Sequence, residues 1–171
     1  MRIINPATEQ VIEELKEDNS ESIQSKLQTL RQGQIEWGKK PLKDRVACLI
    51  KFSDLLQKNI ESLSQTLTSE VGKPLQQSRN EINGATSRIH WLTENAEKYL
   101  SDEVMGTNDT MTEKIVYEPL GVVCNISAWN YPYLVGINVF VPALMAGNAV
   151  MYKPSEHASL TGLEIQRLLI E

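Results

Sequence analysis

Cysteine, histidine and positive charge are all scarce in this 171-residue chain. Its two cysteines, Cys48 and Cys124, lie far apart and form no metal-type or redox-type pair. No metal site is expected, and a reducing, cytoplasmic setting is the default. The net charge of −5 leaves no basic stripe of the kind that nucleic acid requires. The start, MRIINPATEQ, has no apolar core that could serve as a signal peptide. Apolar residues at 41% and charged residues at 23% are close to a soluble globular average, which argues against disorder.

The most unusual absence lies between Pro119 and Tyr152, where there is no Asp, Glu, Lys, Arg or His. The run is long enough to span a membrane, which takes about 20 apolar residues. Its contents argue otherwise. Asn125, Asn130, Asn138 and Asn148 are scattered through it, and Pro132, Pro142, Gly136 and Gly147 interrupt it. A buried strand, a loop and a buried helix of an α/β core fit better.

The first hundred residues read as helices. Asn19 or Ser20 can cap a helix carrying Ile23, Leu27 and Leu30. A second helix is expected from Pro41, carrying Val46, Leu49, Ile50, Leu56, Ile60, Leu63 and Leu67. It should stop at Gly72-Lys73-Pro74, where Gly can turn left-handed and Pro blocks continuation. A third carries Ile82, Ala85, Ile89, Leu92, Ala96 and Leu100 in alternating steps of three and four. Cys48 falls among apolar helix residues and Cys124 within an apolar strand. Both are expected to be buried and unreactive.

The second half changes character. Gly121 to Ile126 reads as a strand covered on both faces, and SAWNYP (127–132) as the loop after it. A helix from about Pro132 to Ala146 should stop at Gly147-Asn148. Ala149 to Tyr152 is the next strand, followed by the loop Lys153-Pro154-Ser155-Glu156. A last helix holds Leu160, Leu163, Leu168 and Leu169, with Thr161 and Glu164 spaced as a capping box. The order is that of a parallel, right-handed βαβ unit. Ligands of such sheets sit beyond the carboxyl ends of the strands. Both loops leave those ends, so Asn130, Lys153 and Glu156 should face one crevice.

Each of these residues admits two readings. Lys153 could hold ribose hydroxyls or a phosphate, and Glu156 could take both hydroxyls of an adenine ribose. They could equally be a solvated ion pair. Asn130 could donate to a developing oxyanion, or bond its own backbone ahead of a proline-started helix. Trp129 could wall a pocket or belong to the core.

The segments EPLGVVCNISAWNYP, VPALMAGNAVMYKPSE and SLTGLEI resemble the N-terminal part of an aldehyde dehydrogenase. INPATEQVI and EVGKPLQQSRNEI resemble the same superfamily in the same order, so the likeness covers nearly the whole chain. It implies oxidation of an aldehyde to a carboxylic acid with NAD, NADP being the less favoured cofactor. A cysteine thiolate attacks the aldehyde and a glutamate-activated water releases the acid. By resemblance Asn130 is the oxyanion donor. Lys153, Ser155 and Glu156 contact the cofactor, with Glu156 favouring NAD. Ile126, Ser127, Ala128 and Trp129 line the cofactor cleft.

The implied fold is α/β, an incomplete aldehyde dehydrogenase fold. Residues 1–100 would be the helical part of the cofactor domain and 101–118 an oligomerisation-type hairpin. Residues 119–171 would be the first βαβα part of a Rossmann-like sheet. The expected partners are a small aldehyde and copies of the same chain, with neither nucleic acid nor membrane. Ala128 and Tyr131 depart from the family's usual Pro and Phe. The family's nucleophilic cysteine and catalytic glutamate come later in sequence than these residues, so an inactive N-terminal fragment is expected. Two other readings stay open: a truncated binding or regulatory module, and an acyl-CoA or acyl-phosphate reductase of the same fold.

Overall fold

The computed structural model describes residues 1–171. The chain opens with an antiparallel hairpin of β1 (Arg2–Ile4) and β2 (Val11–Glu14). This corrects the purely helical reading of the first hundred residues. Strands of three and four residues are too short to show alternation. Asn5 makes the turn, its Oδ1 accepting the N–H groups of Ala7 and Thr8 at 2.9 and 3.3 Å.

Four helices follow: α1 (Ser20–Lys39), α2 (Leu42–Lys58), α3 (Ile60–Val71) and α4 (Leu75–Leu100). Asn19 caps α1 by a reciprocal pair of bonds with Ser22, at 2.9 and 3.0 Å. The apolar face expected on α1 buries nothing completely, and Ile23 is exposed. The single helix expected over residues 41–71 is broken at Asn59. That residue leaves helical geometry (φ −104°, ψ 13°), and its side-chain amide donates to the Leu55 carbonyl at 2.8 Å. The apolar spacing runs through the break unchanged, so periodicity could not reveal it. Gly72 does end α3 left-handed (φ 80°), with its N–H on the Thr68 carbonyl at 2.9 Å.

After α4 comes an antiparallel hairpin, β3 (Glu103–Thr107) with β4 (Thr112–Ile115), every residue of which is exposed. Then β5 (Val122–Ile126), α5 (Pro132–Met145), β6 (Ala149–Lys153) and α6 (Ser159–Ile170) complete the chain. β5 and β6 pair in parallel, from Val122 beside Ala149 to Ile126 beside Lys153. No helix is long and apolar enough to cross a membrane.

α5 is the middle of the molecule. It is apolar on nearly every side because it lies between the strands and α2 and α4. Tyr133, Ile137, Phe140 and Val141 are buried, each contributing about 1.5–3 kcal/mol of burial free energy. Phe140 meets Phe52 of α2 edge-on at 5.9 Å and Tyr152 of β6 at 5.8 Å, so one ring joins the helical half to the sheet. The carbonyls that end α5 are satisfied from far away. Trp37 Nε1, Arg45 Nε and Gln34 Nε2 donate to Leu144, Met145 and Gly147 at 2.8, 2.8 and 3.0 Å.

The burial expected of both cysteines is not found. Cys48 and Cys124 are exposed free thiols. Cys48 sits on the outer side of α2, beside the buried stripe rather than in it. β5 turns Asn125 inward and leaves Cys124 and Ile126 on an open face, so the strand is not covered on both sides.

Candidate active site

The two loops lie side by side, as the strand order predicts. Ser127 N–H donates to the Lys153 carbonyl at 3.0 Å, extending the ladder one step past β5. Trp129 meets His157 edge-on at 5.8 Å. Ser127 is buried, Ala128 is half-buried, and Trp129, Asn130 and Tyr131 are exposed. Below them Asn125 Nδ2 donates to the Gly136 carbonyl at 3.2 Å. Within the uncharged run Asn125 is thus bonded inward and Asn130 is open to solvent, whereas the buried hydroxyls of Ser127, Tyr133 and Tyr152 have no hydrogen-bond partner.

Asn130 adopts the backbone-bonded arrangement and keeps its donors. Its Oδ1 accepts the Tyr131 N–H at 3.1 Å. Only an oxygen can face that N–H, so the amide orientation is set and Nδ2 points away with both hydrogens unengaged. The Asn130 carbonyl accepts from Lys73 Nζ at 2.6 Å, and the same ammonium stands 4.0 Å from the centre of the Tyr131 ring. Lys73 also pairs with Glu81. Glu81 Oε1 in turn accepts the Tyr133 N–H at 2.8 Å and the Leu134 N–H at 3.4 Å. Pro132 opens α5 without any local side-chain cap, and the carboxylate of Glu81 caps it instead.

α6 is treated the same way. The expected Thr161–Glu164 capping box does not form, because Thr161 is inside the helix and its hydroxyl is already bonded. Glu70 of α3 receives the N–H groups of Leu160 and Thr161 at 2.6 and 2.9 Å, and the Thr161 hydroxyl at 3.0 Å. Burial raises the carboxyl pKa of both Glu70 and Glu81, against the opposing pull of their hydrogen-bond donors. Replacing Glu70 by Ala should leave the start of α6 uncapped. Amide exchange at Leu160 and Thr161 should then accelerate about fivefold, as expected for the loss of a cap worth about 1 kcal/mol; unchanged exchange at both would show that the cap is idle.

The second loop keeps its charges exposed. Lys153 and Glu156 are 3.7 Å apart and more than half accessible, a weak pair that a ligand could separate. Ser155 is buried, donates to Glu156 at 3.3 Å and accepts the His157 N–H at 3.2 Å. The backbone N–H of Glu156 itself, then Ser155, then Lys153, hold the Glu156 carboxyl below its usual range, so it is ionised at neutral pH. A cavity of about 320 Å³ opens beside it, lined by Arg2, Ile3, Ile4, Glu70, Glu156 and His157. It lies on the side of β1 rather than of Asn130, and Arg2 there is already shared with Glu14 at 3.5 Å.

Glu70, Lys73 and Glu81 escape a reading based on local spacing. One signal was available. Glu70 follows Leu63 and Leu67 at helical spacing, and Glu81 sits next to Ile82 on the buried stripe of α4. A carboxylate on a core face needs a partner from elsewhere in the chain.

Comparison with known proteins identifies the family and the fold. The model of the aldehyde dehydrogenase family matches residues 1–171. A 3,6-anhydro-alpha-L-galactose dehydrogenase of Vibrio sp. (strain EJY3) is 32% identical over 164 residues, covering 96% of this chain and 34% of that protein. A succinate semialdehyde dehydrogenase of Acinetobacter baylyi is 30% identical over 169 residues, covering 99% and 35%. The crystal structure of an NADP-dependent glyceraldehyde-3-phosphate dehydrogenase from Bacillus halodurans, complexed with NADP, superposes with a TM-score of 0.93. It is 27% identical, with 99% of this chain and 37% of that one covered. The chain therefore spans about a third of the length of the relatives it matches. It belongs to the aldehyde dehydrogenase family.

Proposed function

We propose that this chain is the N-terminal part of an enzyme that oxidises an aldehyde to a carboxylic acid with NAD. The observation that carries this reading is Asn130, held at the carboxyl end of β5 with both Nδ2 hydrogens free. Donors placed there could take up the negative charge that forms on an aldehyde oxygen when a nucleophile adds. The nucleophile itself is proposed to lie outside these residues, because neither Cys48 nor Cys124 belongs to the two loops.

The second loop has the donor set for a dinucleotide. The Glu156 carboxylate can accept from two ribose hydroxyls, and the Lys153 ammonium can donate to a hydroxyl or a phosphate. Ile126, Ser127, Ala128 and Trp129 form the adjoining edge, and buried Ser155 holds Glu156 in place. When bound, the nicotinamide would accept the hydride. An ionised Glu156 would repel a 2′-phosphate, which is the basis for proposing NAD over NADP. Glu156→Ser in the complete enzyme should lower the NAD-to-NADP ratio of kcat/KM about tenfold; an unchanged ratio removes Glu156 from the cofactor site. The exposed β3–β4 hairpin, with Val104 and Met105 outward, is the segment we propose for homo-oligomer contact.

Purified alone, the 171-residue chain should show no aldehyde-dependent NADH formation. A rate that survives repurification would overturn the assignment of the nucleophile to residues beyond it.

A further inference from the structure

We infer that Lys73 and Glu81 are positioning residues that hold Asn130 in place for its proposed oxyanion role. This rests on the reading of Asn130 given above. Three observations support it.

The first is the cost of the pair. The Glu81 side chain is 0% accessible and that of Lys73 only 9%. A buried ion pair recovers its desolvation cost poorly, and an apolar pair of similar shape would pack there at least as well. Stability alone gives a weak reason for it.

The second is where its other bonds go. Lys73 reaches the Asn130 carbonyl and the Tyr131 ring, and Glu81 reaches the N–H groups of Tyr133 and Leu134. All four contacts fall within residues 130–134, more than fifty positions along the chain from the pair. The third is what the loop lacks. Among the backbone groups of Ala128, Trp129 and Asn130, only the Asn130 carbonyl is hydrogen-bonded, and Lys73 is its donor. Ala128 adds no fixed φ of its own. The ammonium therefore sets where residue 130 stands, and Glu81 sets both the ammonium and the first turn of α5.

The test is a double-mutant cycle in the complete enzyme. Lys73→Met and Glu81→Gln should each lower kcat about tenfold to a hundredfold, as expected for a catalytic donor displaced by about 1 Å, with the Kd for NAD unchanged. In an Asn130→Ala background the same substitutions should lower kcat no further, because the group they position is gone. Losses that persist in that background would show a general structural role and overturn the inference. If Asn130→Ala alone leaves kcat intact, the oxyanion reading fails instead, and the two failures are distinguishable. Should both variants fold poorly, hydrogen exchange of the unaltered complete enzyme decides. The Tyr133 amide, bonded to Glu81, should be protected, and exchange at the free-peptide rate there would show that the latch is not made.

Discussion

Asn130→Ala in the complete enzyme should lower aldehyde oxidation by about a hundredfold to a thousandfold, the usual loss when one oxyanion donor is removed. The Kd for NAD should change little, because the charged groups assigned to the cofactor, Lys153 and Glu156, belong to the other loop, and Asn130 lies beyond the residues 126–129 assigned to the cleft edge. Asn130→Asp is the sharper variant. It keeps size and shape, and one carboxylate oxygen could still accept the Tyr131 N–H that now meets Oδ1. The other would put a negative charge where Nδ2 offers two hydrogens, so its loss should equal or exceed that of alanine. Steady-state kcat together with NAD binding checks both. A kcat within twofold of the parent in either variant would remove Asn130 from the chemistry.

Gly162→Ala should destabilise the protein by about 1–3 kcal/mol and weaken NAD binding as well. The direction is opposite to the usual one, since alanine in a helix is normally favoured over glycine by about 0.5–1 kcal/mol. A Cβ at Gly162 would lie 2.5 Å from Pro154 Cγ and 2.7 Å from Pro154 Cβ. Neither side can yield easily, because one is helix backbone in α6 and the other a closed ring. Pro154 stands between Lys153 and Ser155, so its displacement carries the second loop with it. Gly84, in α4, is the control: a Cβ there meets nothing within 4 Å, and Gly84→Ala should stabilise by the normal amount. Chemical unfolding of the two variants checks the sign reversal. A stabilising Gly162→Ala would mean that loop and helix are not in contact.

Much of this is legible in the sequence alone, for one reason. Apolar spacing and punctuation are local properties, and local elements follow from them. The uncharged run interrupted by Asn, Pro and Gly marked a strand, a loop, a helix and a second strand, and the structure has them at 122–126, 132–145 and 149–153. Strand order alone then placed SAWNYP and Lys153–Glu156 at neighbouring strand ends, which Trp129 and His157 join. Asn19 and Gly72 could be read as a cap and a stop because a single residue carries each signal.

Tertiary structure decided what depends on residues distant in the chain. It exposed Cys48 and Cys124, because apolar neighbours in sequence do not cover a side chain from outside. Above all, it decided how the starts of α5 and α6 are satisfied. Glu81 reaches Tyr133 and Glu70 reaches Thr161, across separations of 52 and 91 residues. A helix terminus needs acceptors for its free N–H groups, and the sequence of α5 or α6 shows only that they are missing. Which carboxylates arrive to fill them, and which lysine arrives with Glu81 to hold Asn130, is settled by packing α4 against α5 and α3 against α6.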